Sequence, residues 1–76
     1  MKVGLLWFDS DPKRSLEEKI ATAAQRYQVK FGTLPNTCYV NPDTVTEKRL
    51  NIGDLEVLAA DNVLPNHFLL GVSESF

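Results

Sequence analysis

The sequence predicts a small α+β domain that begins as strand, helix and strand, with one long helix on one face of a four-stranded mixed sheet. The chain has 76 residues, the size of one domain, which we place over residues 1–76. Residues 2–8 and 67–72 are apolar on both alternating sides, as in strands buried on both faces. Residues 15–31 repeat apolar side chains at helical spacing.

Composition restricts the classes of function. A net charge of −2 provides no basic surface for nonspecific nucleic-acid binding. No apolar run approaches the roughly 20 residues of a membrane span, and the N-terminal residues do not follow the signal-peptide pattern. The single cysteine excludes an internal disulfide and the single histidine excludes a usual zinc site. We therefore expect a cytoplasmic protein that binds neither nucleic acid nor membrane.

The long helix over 15–31 has start and stop signals. Ser15 and Glu18 fit a capping box, in which each side chain accepts a hydrogen bond from the other residue's backbone N–H. Gly32 stands where a left-handed C-terminal cap is expected, and Pro35 prevents continuation. The stripe that would face the sheet consists of Leu16, Ile20, Ala23, Ala24, Tyr27 and Phe31.

Two elements are predicted next. Residues 37–41 form a second short strand, which should run parallel to the first because a helix connects them. Pro42 suits a first helical position, and Thr44 with Glu47 fits a second capping box. The sequence therefore predicts a short helix over 43–50.

Residues 55–59 and 67–72 complete the sheet as a third and a fourth strand, joined through a turn at Pro65-Asn66. The first and fourth strands are apolar on both faces, so both should be central. The predicted order is 2-1-4-3, with the first strand parallel to the second and antiparallel to the fourth. The third strand carries Glu56, which is acceptable at an edge.

Polar side chains follow the first two strands. Asp9 and Asp11 come after the first strand, and Asn41 and Asp43 after the second. Because ligands of open sheets bind at the carboxyl ends of parallel strands, these four are the candidate ligand-binding residues. Their oxygens are of the kind that Mg²⁺ prefers. A competing interpretation is that they only form turns and helix caps.

The Asp9-x-Asp11 spacing after a strand resembles the nucleophile motif of haloacid-dehalogenase-type phosphotransferases, which would imply phosphoryl transfer. The resemblance is confined to this stretch, and Pro12 and Lys13 stand where that family has threonine and glycine. Turn and cap formation accounts for both aspartates without chemistry. We therefore assign no catalytic residue here.

Other polar groups suggest no site. Cys38 inside a strand is best explained as a buried structural thiol, and His67 begins a strand after a turn, so a nucleophile–base pair is not expected. Lys13 and Arg14 precede the helix, but no glycine-rich loop would admit a phosphate to the backbone. We therefore expect no enzyme activity, no resident metal and no cofactor.

The expected function is a small interaction or accessory module that binds a second copy of itself or another protein. One long helix covers one face of the sheet, yet two strands are apolar on both faces. An uncovered apolar face favours a partner, and a homodimer is the simplest. The alternative is a small-ligand or metal-binding domain that uses Asp9, Asp11, Asn41 and Asp43.

Overall fold

A computed structural model describes residues 4–47 and 49–73. Within these ranges the chain forms a five-stranded mixed sheet and one α-helix, which confirms the α+β class. The strands are β1 (Gly4–Phe8), β2 (Thr37–Val40), β3 (Arg49–Ile52), β4 (Leu55–Ala59) and β5 (His67–Gly71), the α-helix is α1 (Leu16–Phe31), and a 3₁₀ helix spans Pro42–Thr44.

The predicted four-stranded sheet of order 2-1-4-3 is wrong, because the order is β1-β5-β2-β4-β3. The last strand, β5, lies between β1 and β2 and is antiparallel to both. β1 and β2 therefore run in the same direction, as expected, but they do not pair. The predicted antiparallel pairing of the first and last strands is confirmed. β1 is an edge strand instead of a central one.

The predicted helix over 43–50 is also wrong. Helical geometry stops at Thr44, and residues Arg49–Ile52 pair antiparallel with β4. The reason lies in the turn that follows, because Gly53 has φ 62° and joins the two strands through a two-residue loop. A glycine at the first central position is typical of tight hairpin turns. The segment is thus an additional strand, β3, at one edge of the sheet.

The caps of α1 match the sequence signals. Ser15 Oγ accepts from the backbone N–H of Glu18 at 3.1 Å, and Glu18 Oε1 accepts from the backbone N–H of Ser15 at 3.1 Å. This backbone hydrogen bond, with the Ser15 hydroxyl second, lowers the pKa of the Glu18 carboxyl. Gly32 ends the helix at φ 77°. These bonds satisfy backbone groups that a helix leaves without partners at its ends.

The core lies between α1 and one face of the sheet. Ile20, Ala23 and Tyr27 of α1 are buried, as the predicted stripe requires. From the sheet, the buried members of this core are Cys38, Val40, Leu55, Val57, Phe68 and Leu70. Among the described residues, no helix has the length and apolar character needed to cross a membrane.

Candidate functional site

The strand-end edge does not bring the four candidate ligand-binding residues together as expected. Asp9 and Asp11 follow β1, while Asn41 and Asp43 follow β2. Because β5 lies between these strands, their axes are two strand spacings apart, or about 10 Å. In residues 4–47 and 49–73, no three acidic, histidine or cysteine side chains are grouped so that they could hold a metal ion.

Asp9 and Asp11 are engaged in the turn that leads to α1. Asp9 Oδ1 accepts from the backbone N–H of Asp11 at 3.0 Å, and Asp11 Oδ1 accepts from the backbone N–H of Lys13 at 2.9 Å. The other oxygen of Asp9 accepts from Arg14 Nη1 at 3.2 Å. Arg14 also donates to the Glu18 carbonyl oxygen and to Thr22 Oγ1. These contacts connect the end of β1 to the first turns of the helix.

Asn41 is also engaged locally. Its Oδ1 accepts from the backbone N–H of Asp43 at 2.9 Å, and its Nδ2 donates to the carbonyl oxygen of Val63 at 2.8 Å. Asp43 is exposed. The structure thus supports a role in turns for Asp9, Asp11 and Asn41. Ligand binding by the four residues stays a prediction.

Cys38 and His67 lie on opposite faces of the sheet. Cys38 belongs to the core beneath α1, and burial raises the pKa of its thiol to about 12. His67 pairs with Phe8 on the other face, where the two rings are 4.8 Å apart, and its Nδ1 lies 2.8 Å from the Pro65 carbonyl oxygen. Because a thiolate is the reactive form of cysteine, this arrangement gives no nucleophile–base pair.

The face of the sheet away from α1, named here the open face, is the most distinctive surface of the described chain. Strand register places its side chains in rows across the sheet, and the central row is apolar over four strands. This row consists of Leu6, Leu69, Tyr39 and Leu58, and it ends at Arg49. Phe8 and His67 form a second row beside it.

Several large apolar side chains of the open face are in contact with solvent. Leu6 is 62% exposed and Phe8 is 58% exposed. In the loop between β4 and β5, Leu64 is 66% exposed, whereas its neighbour Val63 is only 5% exposed. In the described ranges, five large apolar side chains are exposed, and three of them, Leu6, Phe8 and Leu64, lie on or beside the open face. The other two are Val29 and Leu34.

The loop between β4 and β5 covers the open face only in part. Together with β1 and β5 it encloses a cavity of about 300 Å³, lined by Leu6, Asn62, Val63, Leu64, His67 and Leu69. A second cavity of about 250 Å³ lies between α1 and the β3–β4 hairpin, lined by Ile20, Ala21, Ala24, Leu34, Pro35, Ile52, Asp54 and Leu55. None of the four candidate ligand-binding residues lines either cavity. The sequence signal for the first cavity is the apolar pair Val63-Leu64 within a loop.

The polar groups on the open face are balanced in charge. Arg49 Nε lies 3.1 Å from Glu56 Oε2, and both residues are partly exposed. An exposed pair of this kind adds little stability, but it leaves one positive and one negative group beside the apolar row. The face is therefore compatible in charge with a second copy of itself.

A search against protein-family models finds no match to this chain, and comparisons with curated proteins and with solved structures find none either.

Proposed function

We propose that this protein is a small interaction module that self-associates through the open face of its sheet. The supporting observation is the position of Leu6, Phe8 and Leu64, which are all more than half exposed and lie on or beside one apolar row. Contiguous apolar patches larger than about a few hundred Å² are uncommon on the surface of soluble monomers and mark sites of association. A second copy supplies an apolar face of the same size and shape.

The size of the open face indicates how strong the association is. A sheet of five strands with about five residues each measures roughly 24 Å by 15 Å. Covering one such face with another removes on the order of 1,000 Å² of surface from water, which is at the low end of specific interfaces. We therefore expect weak association, with a dissociation constant in the micromolar range or above.

The charges on the open face are compatible with a contact between two copies of the chain. In a two-fold symmetric dimer the same patch of each copy meets the other. Arg49 and Glu56 form an ion pair within each copy, so a contact between two open faces brings no unpaired charge from these residues into the interface.

The test compares two aspartate substitutions of similarly exposed side chains. Leu64→Asp places a charge beside the cavity of the open face, and Val29→Asp places the same charge on α1, where Val29 is 78% exposed. We expect Leu64→Asp to weaken association by at least about tenfold, because burying a leucine is worth about 1.5–3 kcal/mol. Val29→Asp should leave association unchanged.

Sedimentation equilibrium from about 1 µM to about 1 mM measures the result, since this interval brackets a micromolar dissociation constant. For the unsubstituted chain, the mass should rise from 8.5 kDa to at least twice that value. A mass that stays at 8.5 kDa throughout would rule out self-association. Equal weakening by both substitutions would place the contact elsewhere than on the open face.

A further inference from the structure

In the part of the chain that the structure describes, no strand pairs with the outer edge of β1. β1 is the first strand in the order β1-β5-β2-β4-β3, and among the described residues only β5 pairs with it. A strand at the edge of a sheet presents N–H and C=O groups that can pair with another strand. This edge is a different surface from the open face, although β1 contributes to both.

The hydrogen bond that follows β1 identifies which backbone groups are free. The backbone N–H of Asp9 donates to the carbonyl oxygen of Asn66 at 3.0 Å. These two residues are opposite each other, one step beyond the pair Phe8 and His67. In an antiparallel ladder, hydrogen-bonded pairs alternate with non-hydrogen-bonded pairs. Phe8 and His67 therefore form a non-hydrogen-bonded pair, consistent with the 4.8 Å between their rings.

The same alternation applies along the whole of β1. Leu5 and Trp7 belong to the hydrogen-bonded pairs with β5, so their backbone groups are used. Gly4, Leu6 and Phe8 belong to the other pairs, so their N–H and C=O groups point to the outer edge. The edge therefore offers three donors and three acceptors in a regular row.

Within Gly4–Phe8, this edge lacks charges, prolines and bulges, which are common protections against pairing. Natural edge strands carry charges, prolines or bulges that keep other strands away. Gly4–Phe8 contains no charged residue and no proline, and its register with β5 is continuous. The opposite edge of the sheet differs, because β3 carries the charged Arg49 and the polar Asn51 on its open-face side.

We infer that β1 pairs antiparallel with β1 of a second copy, with Leu6 opposite Leu6 of the other chain. In this register Gly4 faces Phe8, and Phe8 faces Gly4. The residue without a side chain is thus opposite the largest open-face side chain of the strand. Leu69 leans over Gly4, since a Cβ built there would lie 3.2 Å from Leu69 Cδ1. Phe8 of the second copy would therefore contact Leu69 across the glycine.

Pairing of the two β1 strands joins the sheets of the two copies. The two-fold axis is perpendicular to the sheet, so the two five-stranded sheets become one, with both helices on the same side. Each residue pair that contains Gly4, Leu6 or Phe8 exchanges two hydrogen bonds. The open face stays available, so edge pairing and the open-face contact can coexist in one assembly.

Nuclear magnetic resonance on the full chain tests this register. Leu5 of one copy and Trp7 of the other would form a non-hydrogen-bonded pair. Their Cα atoms would be about 4.5 Å apart and their Hα atoms in close contact. A mixture of isotope-labelled and unlabelled chains should therefore show an Hα–Hα contact between Leu5 of one chain and Trp7 of the other. The amides of Leu6 and Phe8 should exchange about tenfold more slowly when about 90% of the chains are paired.

The amides of Leu5 and Trp7 provide the internal control, because they bond to β5 in every copy and should be protected at all concentrations. A synthetic chain with an N-methyl group on Leu6, assembled by ligation at Cys38, removes one outward N–H without changing a side chain. It should lose the contact between chains and keep the unfolding temperature of the dilute monomer.

The outcomes separate the edge from the open face. If the mass rises but the Leu5–Trp7 contact is absent, the edge pairing is wrong, whereas the open-face proposal stands. If that contact is present and Leu64→Asp does not weaken association, the open-face proposal fails and the edge pairing stands. A mass that stays at 8.5 kDa overturns both.

Discussion

Asp9 is the residue at which the turn and ligand interpretations of the strand-end edge can be separated. Its side chain is mostly buried, at 12% exposure, and it binds both the backbone of Asp11 and the guanidinium of Arg14. Asp11 makes a single contact of the same kind, with the backbone of Lys13, and is exposed. The turn interpretation therefore predicts that the two aspartates contribute differently to the free energy of unfolding.

We predict that Asp9→Ala lowers the free energy of unfolding by about 1–2 kcal/mol, because it removes a backbone hydrogen bond and a partly exposed ion pair. Asp11→Ala should cost about 0.5 kcal/mol, since only one exposed bond is lost. Urea unfolding of both variants measures the difference. Magnesium titration by calorimetry is the second measurement, and stoichiometric binding that disappears in either variant would restore the ligand interpretation.

At this scale the sequence is informative where partners are close along the chain. The capping box of Ser15 and Glu18 and the left-handed Gly32 depend only on neighbours within one or two turns, so sequence patterns predict them. The contacts of Arg14 are different. They join the end of β1 to Thr22, in the second turn of α1, and no local pattern shows that a strand and a helix will meet there.

At the scale of elements, β3 shows how two local signals compete. Pro42, Thr44 and Glu47 match a helix start, and the 3₁₀ helix uses the first of them. Gly53-Asp54, however, is a two-residue turn flanked by alternating apolar residues, which is a hairpin signal. The structure follows the hairpin, because Leu50 and Ile52 join the core through pairing with β4. Pairing with a neighbouring strand outweighs a helix start that has few apolar residues behind it.

We predict that Gly53→Ala lowers the free energy of unfolding by about 1 kcal/mol, because Gly53 has φ 62° and left-handed geometry is costly for residues with a Cβ. Gly53→Asn should cost clearly less, since asparagine tolerates this region. A Cβ at Gly53 meets nothing within 4 Å, so the cost comes from the backbone alone. Chemical denaturation of both variants measures it.

Gly32→Ala is the matched control for this measurement. Gly32 also has a positive φ, at 77°, and a Cβ there also meets nothing within 4 Å. Alanine at either glycine should therefore be destabilising by a similar amount. If Gly53→Ala were neutral while Gly32→Ala was destabilising, the turn between β3 and β4 would not depend on left-handed geometry.

The strand order could not be derived from the sequence for a geometric reason. A helix such as α1 connects two parallel strands equally well when they are adjacent and when one strand lies between them. The insertion of β5 between β1 and β2 depends on pairing between the last strand and the first two, far apart in the chain. Apolar residues on both faces of β1 predict a central strand, but here they belong to an edge strand with an uncovered face.

At the scale of the whole molecule, the small size of the domain and its open face both affect the stability of the fold. A domain of 76 residues buries only about 60% of the surface of its unfolded chain, so its stability is marginal. One face of its sheet is packed by α1, and the other keeps Leu6 and Phe8 in water. Any partner that covers this face only in the folded state must stabilise the fold, because binding to the folded state shifts the unfolding equilibrium.

We therefore predict that the unfolding temperature rises with protein concentration. At free concentrations about tenfold above the dissociation constant, association adds about 1.4 kcal/mol to the stability of the fold. For a domain of this size, 1 kcal/mol corresponds to roughly 4–8 °C, so an increase of several degrees is expected between dilute and concentrated samples. Circular dichroism in cells of short path length measures it. Leu64→Asp should reduce the increase to what the contact at the β1 edge alone supplies, and Val29→Asp should keep the full increase. An unfolding temperature independent of concentration would show that the folded chain does not self-associate.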